Sequence, residues 1–143
     1  MADAAHKMQA SLKKFNSEIR DFVKNKMPAE VVRVQKSLVL QALRSIVSMT
    51  PVDTGRARGN WLVTIGGPAV ASIDALDKIG QDTINKGLAQ IANLPPYQVV
   101  WISNNVDYIE FLEYGTESRP PIGMVATTVN NLRTMMRASL KEK

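Results

Sequence analysis

Apolar residues along the start of the chain recur at helical spacing. Met8, Leu12, Phe15, Ile19 and Phe22 step by four, three, four and three, drawing one stripe along an amphipathic helix over roughly residues 4–26. Lys13, Lys14, Glu18, Arg20, Asp21 and Lys24 fill the rest of its circumference. At about 1.5 Å per residue such a helix is roughly 33 Å long, as long as a small domain is wide. A terminal helix of that length either packs along its neighbours or projects toward a partner. Pro28 suits the first turn of a second helix, and Glu30 its positive end. That helix is expected to run to about Met49 and to bury Val32, Val39, Leu43, Ile46 and Val47. Thr50-Pro51 stops it, because proline disfavours helical geometry in the residue before it.

Beyond the stop the pattern changes. Val52 to Gly59 is a polar turn carrying two glycines and two arginines. Asn60 to Gly66 reads as a strand from its β-branched and aromatic content between glycines. Ile73, Leu76, Ile79, Ile84, Leu88 and Ile91 then suggest helix between about Ser72 and Asn93. Gly80 and Gly87 each weaken it by about 1 kcal/mol, leaving one broken helix or two short ones. Tyr97 to Ser103 is the second strand, Asn104-Asn105 a turn, and Asp107 to Tyr114 a short helix capped by Gly115. After an extended stretch from Thr116 to Ile122, Val125, Val129, Leu132, Met136 and Leu140 draw a last helical stripe ahead of a basic tail. The resulting expectation is a single α+β domain. It has two long N-terminal helices, a small antiparallel sheet, a middle helix and a C-terminal helix.

Composition narrows the chemistry more than the fold. A chain of 143 residues suffices for one domain burying about 68% of its unfolded surface. It has no cysteine, which removes disulfide scaffolds, thiol catalysis and thiolate metal centres. Its one histidine, His6, stands in a terminal segment, so a histidine triad or two-histidine metal site has nothing to build on. No cofactor is expected. Met1 to Lys14 contains no apolar core of a secretory signal, and the longest apolar runs fall far below the ~20 residues of a spanning helix. Cytosolic production is therefore expected.

The net charge of +5 is unevenly laid out. Residues 1–58 carry 11 basic and 5 acidic side chains, residues 59–118 carry 2 and 7, and residues 119–143 carry 5 and 1. Such asymmetry suggests nucleic acid, or oppositely charged faces meeting in an assembly. Basic ends folding against an acidic middle explain it equally well. Lys13, Lys14, Arg20 and Lys24 are the basic-helix candidates for phosphate contact, but no reading helix, aromatic platform or zinc module accompanies them.

Three constellations invite a chemical reading. Asp53-Thr54-Gly55 is the active-site tripeptide of retroviral-type aspartic proteases, which set two carboxylates face to face around a shared proton. Here it precedes Arg56 and Arg58, whose charges keep an aspartate ionised, and a helix-to-strand turn is the better account. In that turn Pro51 ends the helix, Asp53 or Thr54 caps backbone amides, and Gly55 takes a left-handed conformation. Asp107, Glu110 and Glu113 repeat every three residues, a spacing compatible with paired carboxylates but more simply a solvated or arginine-paired face. Gly66-Gly67 lacks the lysine and hydroxyl residue of a phosphate loop.

Two stretches point to a family. Thr50-Pro51-Val52-Asp53-Thr54-Gly55-Arg56-Ala57-Arg58-Gly59-Asn60-Trp61 follows an amphipathic helix. Farther on, Ile102-Ser103-Asn104-Asn105-Val106-Asp107-Tyr108-Ile109-Glu110-Phe111-Leu112-Glu113-Tyr114-Gly115 leads to Pro120-Pro121-Ile122-Gly123-Met124-Val125. In this order they resemble the tail-completion (neck, or minor tail) proteins of long-tailed double-stranded DNA bacteriophages, over about residues 30–135. The segment from Gly80 to Leu94 also resembles that family's middle. The apolar pattern sets off a helical arm at 1–27, which the resemblance covers less well, from a tail-completion-like core at 28–143. The resemblance implies a non-enzymatic virion subunit, made in the host cytoplasm, that finishes the tail and helps it join a filled head. Ring-like self-association and contact with tail-terminator, connector or tube proteins are implied as well, with packaged DNA nearby. A tail-terminator or head–tail connector subunit is the nearest alternative, and a DNA-binding accessory protein a more distant one. Arg56, Arg58 and Arg119 on one side and Glu110 and Glu113 on the other are the interface candidates. Arg56 and Arg58 are expected to pair with Glu110 or Glu113, within or between subunits.

Overall fold

In the computed structural model, which describes residues 2–141, the two helices expected before Thr50 run as one rod. It comprises α1 (Ala2–Asp21), a π-helical turn over Phe22–Lys26, and α2 (Met27–Met49). Pro28 therefore does not begin a separate helix. Proline lacks the N–H that the Lys24 carbonyl would receive, and its ring crowds that carbonyl. The wider turn just before it accommodates both effects: the Met27 amide donates to the Phe22 carbonyl, five residues back. Glu30 lies inside the rod rather than at a helix start, and its carboxylate takes the Arg33 guanidinium at 2.8 Å.

The core forms where α2 meets everything that follows. Leu43, Ile46 and Val47 pack with Trp61, Val63, Ile91, Leu94 and Met124. Val39 and Ala42 are also buried on α2, and Val32 is half-buried, so the expected apolar face is the one used. After α2 come the short helix α3 (Arg56–Gly59), β1 (Leu62–Ile65), α4 (Gln81–Gln90), β2 (Val100–Ser103), α5 (Ile109–Tyr114) and α6 (Met124–Lys141). The strands form a two-stranded antiparallel sheet that pairs Leu62 with Ser103 and Val63 with Ile102. With α4 against β1, and with both α4 and α6 against α2, this is the expected α+β arrangement.

Three local expectations need correction. The polar segment before β1 is not turn throughout, because residues 56–59 close a helical turn. Both strands are shorter than their apolar runs. The middle helix starts only at Gln81, and Leu76 and Ile79 stand exposed in irregular chain instead of on a buried helical face. Asp77 explains that late start. Its carboxylate accepts the Gly80 amide at 2.8 Å and the Thr83 amide at 2.8 Å, while Gly80 turns through φ +94°. The chain is thus wrapped around the carboxylate before the helix can propagate.

The arm stays outside the core. Met8, Leu12, Phe15, Ile19 and Phe22 are all exposed, with Phe15 at 58%. The first tertiary hydrogen bonds of the rod come from Gln35 to the Gln98 carbonyl and from Lys36 to the Ala92 carbonyl. Residues 2–26, all exposed where their side chains are described, project by roughly 40 Å. On α6, the side chain of Leu140 and the basic tail at 142–143 lie outside the described residues.

Candidate functional site

The turn between α2 and β1 holds a dense polar network. The Thr50 hydroxyl donates to the Ile46 carbonyl at 2.6 Å and accepts the Trp61 indole N–H at 2.8 Å, so the end of α2 is tied to the residue that precedes β1. Asn60 is fully buried. Its amide nitrogen donates to the Arg56 and Ile73 carbonyls, and its oxygen accepts the Ile73 amide at 2.7 Å. From the second motif, Asn104 donates to the Ala57 carbonyl at 2.8 Å and caps its own turn by accepting the Val106 amide. The two motifs are thus one continuous lock, and each buried amide side chain in it is satisfied.

Within that lock the arginines play unequal parts. The Arg58 guanidinium donates to the carbonyls of Lys78 at 2.7 Å, Thr50 at 2.9 Å and Ser48 at 3.4 Å. It places a positive charge on the open carbonyls at the end of α2, where the helix dipole is negative. Arg56 instead reaches the Ser72 hydroxyl at 3.2 Å and the Asp74 carboxylate at 3.8 Å, and Asp74 is wholly exposed. Reversing the charge at Arg56 with Arg56→Glu should change stability by no more than about 1 kcal/mol, because exposed ion pairs contribute that little. Arg58→Ala should cost about 2 kcal/mol, since three carbonyls, two of them at the end of α2, lose a charged donor. Urea unfolding midpoints of the two variants check the ordering, and equal costs would refute it.

Neither arginine meets Glu110 or Glu113 within the chain, so the intramolecular pairing expected from sequence is not formed. Glu113 is buried, and its two carboxylate oxygens accept the Val125 amide at 2.9 Å and the Ala126 amide at 3.1 Å. It caps the first turn of α6 from twelve residues upstream, where helix amides lack partners and the dipole is positive. Glu110 and Arg119 are exposed. In the first motif Thr54 does the capping, its hydroxyl accepting the Arg56 amide at 3.3 Å, while Asp53 and Pro51 are exposed. Gly55 adopts the left-handed conformation expected of it, with φ +88°.

Comparison with known protein families, with curated proteins and with solved structures finds no match. The functional reading therefore rests on the two motifs and on the geometry.

Asp77 is the residue that sequence patterning assigned too little. Three hydrogen bonds converge on its carboxylate, the third from the Thr83 hydroxyl at 2.7 Å. Burial by itself pushes its carboxyl up, but the Thr83 hydroxyl and amide, the Gly80 amide and the nearby Arg58 charge outweigh that and hold it below its ordinary value. A carboxyl lowered by folding stabilises the protein above its unfolded pKa of about 4, and that contribution is lost as pH falls through the folded value. Stability measured by urea from pH 5 down to pH 2 should fall accordingly, with a shallower fall in Asp77→Asn. Identical slopes would remove Asp77 as a source of acid sensitivity.

What remains for contact with other molecules is the surface. Lys13, Lys14, Arg20 and Lys24 are exposed around the arm, and among the described residues only Lys26 of the arm is ion-paired, with Asp21 at 3.6 Å. On α5 and its approach, Tyr108, Phe111 and Tyr114 are exposed, the last at 77%. No group of three or more histidine, cysteine, aspartate or glutamate residues suited to a metal ion occurs among the described residues.

Proposed function

We propose that this chain is a structural subunit of the neck or tail of a long-tailed double-stranded DNA bacteriophage. In that role it completes the tail and helps head–tail joining through self-association and contact with neighbouring neck, terminator or tube subunits. The observation that carries the reading is the arm: a helix roughly 40 Å long whose apolar stripe stands exposed. A stripe of that kind is an assembly element, since an isolated subunit gains nothing by displaying it to water. The polar residues of the two motifs support the same view, because most of them hold the fold. Thr50, Arg58, Asn60, Asn104 and Glu113 are all engaged with backbone or with one another. A motif whose side chains lock the subunit's shape suits a protein whose task is to present a surface.

The test is genetic and visual. Phage particles lacking this protein should accumulate filled heads and tails that remain separate in electron micrographs, and supplying the protein should restore joined virions. Normally joined particles in its absence would overturn the reading.

One observation favours a second reading. The exposed lysines and arginines of the arm suit duplex phosphates, which is what a DNA-binding accessory protein needs. Salt-sensitive duplex binding without any association with particles would select it.

A further inference from the structure

The stripe on the arm and the residues that border it define what can cover it. At about 100° per residue, Gln9, Ser11, Asn16 and Glu18 lie roughly 70–90° from the middle of the stripe. Lys7, Lys13, Lys14 and Arg20 lie farther round, roughly 110–130° from it, and stay in solvent when the stripe is covered. Among the four border residues only Glu18 is charged. A helix lying on anionic lipid gains from lysines at the border, whose stems follow the apolar face and whose heads reach the headgroups. This border offers a headgroup no cation. It suits an apolar surface with neutral edges, and a second arm is such a surface.

Side-chain size sets the direction of such a pair. Run antiparallel, two arms set Ala5 against Phe22, Met8 against Ile19 and Leu12 against Phe15, each layer occurring twice by symmetry. The small residue meets a ring, and no layer holds two rings. Run parallel, Phe15 meets Phe15, Phe22 meets Phe22 and Ala5 meets Ala5, which puts crowded layers and a gap in one seam. Along the antiparallel borders Gln9 comes beside Asn16, and Ser11 beside Glu18, so hydrogen-bonding groups face each other without like charges. The area is sufficient. About half of each stripe residue is open, from 46% at Ile19 to 62% at Met8. At on the order of 100 Å² apiece, two stripes closed on each other remove roughly 1,000 Å². Stable interfaces begin at about 1,200 Å², and the borders supply the remainder.

We infer that two copies of this chain pair through their arms, antiparallel, with Leu12 of each stripe on Phe15 of the other. The contact is isologous, so it joins two copies and stops there. The folded bodies then lie at opposite ends of the pair. This goes beyond the neck reading, because the pair forms in solution without any other virion protein.

The chain's lack of cysteine makes the register directly readable. Full-length Met8→Cys and Ile19→Cys proteins, each shown by circular dichroism to be folded, are oxidised alone and as an equimolar mixture. The mixture should give at least threefold more covalent dimer than either protein alone. In sedimentation equilibrium the unmodified chain should pass from monomer to dimer between about 1 and 500 µM. Its dissociation constant should change less than threefold between 50 mM and 500 mM salt, because the borders are nearly uncharged. Phe15→Glu alters a residue outside the core, so it should stay folded while raising that constant at least tenfold. A monomer at every concentration, either cysteine variant cross-linking with itself as well as the mixture does, or a dimer indifferent to Phe15→Glu would overturn the inference. A dimer lost at high salt would overturn it too. Binding to vesicles of equal phosphatidylcholine and phosphatidylglycerol without self-association would replace the second arm with a membrane surface. Virion joining is a separate readout: particles that join normally without the protein end the neck reading and leave the arm pair standing.

Discussion

Gly55→Ala should destabilise the protein by about 3 kcal/mol. A residue with a side chain costs about 1–2 kcal/mol in the left-handed conformation, and Gly55 holds φ +88°. The rest is steric. A Cβ at this position would lie 2.7 Å from the Asp77 carbonyl carbon and 2.7 Å from the Lys78 nitrogen, which are backbone atoms and cannot rotate away. Crowding of that kind adds about 1–3 kcal/mol. The approach is close because the Gly55 carbonyl accepts the amides of both Gly59, at 2.9 Å, and Asp77, at 3.0 Å. Gly66 supplies the control. It has nearly the same conformation, φ +89°, with no atom within 4 Å of an added Cβ. Gly66→Ala should therefore cost only the conformational part, about 1–2 kcal/mol. Thermal unfolding should show a drop of roughly 9 °C for Gly55→Ala, at about 3 °C per kcal/mol, and less than two-thirds of it for Gly66→Ala. Equal drops would mean that the loop carrying Asp77 yields freely and that the lock is loose.

Glu113→Gln should cost about 2 kcal/mol. The carboxylate offers acceptors to two amides at the start of α6, and an amide side chain keeps one acceptor while turning a donor toward the second N–H. Charged hydrogen bonds of this sort contribute about 1.5–3 kcal/mol, and the favourable charge at the helix start is lost as well. Glu110→Gln, on the same short helix but exposed, should leave the unfolding midpoint within about 0.5 kcal/mol of the parent. The contrast separates the two acids that the three-residue spacing had treated alike. If the Glu110 and Glu113 variants unfold together, the capping role is wrong.

Much of the fold was legible in local periodicity. The stripe Val39, Leu43, Ile46 and Val47 names the buried face of α2, and the β-branched runs around Val63 and Ile102 mark both strands. Gly55 was legible for the same reason. A glycine after Asp-Thr in a polar turn announces a left-handed residue without knowledge of what lies opposite.

Gly87 shows where local reading stops. By propensity it is a weak point of α4, but an added Cβ there would collide with Leu43 Cδ2 and stand 2.8 Å from Val63 Cγ2. It is glycine because α4 packs closely on α2 and β1, a fact of tertiary structure.

What the amino-acid sequence alone determined, then, is most of the elements, the face that α2 buries and the turn that separates α2 from β1. These depend on neighbours within a few residues, where spacing and backbone conformation carry the information. Tertiary structure decided the rest. It merged two helices into one rod, because a π-helical turn absorbs Pro28 where a break was expected. It turned Arg58 and Glu113 from interface candidates into caps, on carbonyls up to 20 residues away and on amides 12 and 13 residues away. It joined the two motifs through Asn104 and Ala57, 47 residues apart. A charged side chain finds its partner only when packing brings distant backbone within reach, and no spacing rule along the chain encodes that meeting. The arm is the complement: its stripe is plain in the sequence, and only the fold shows that it stands exposed.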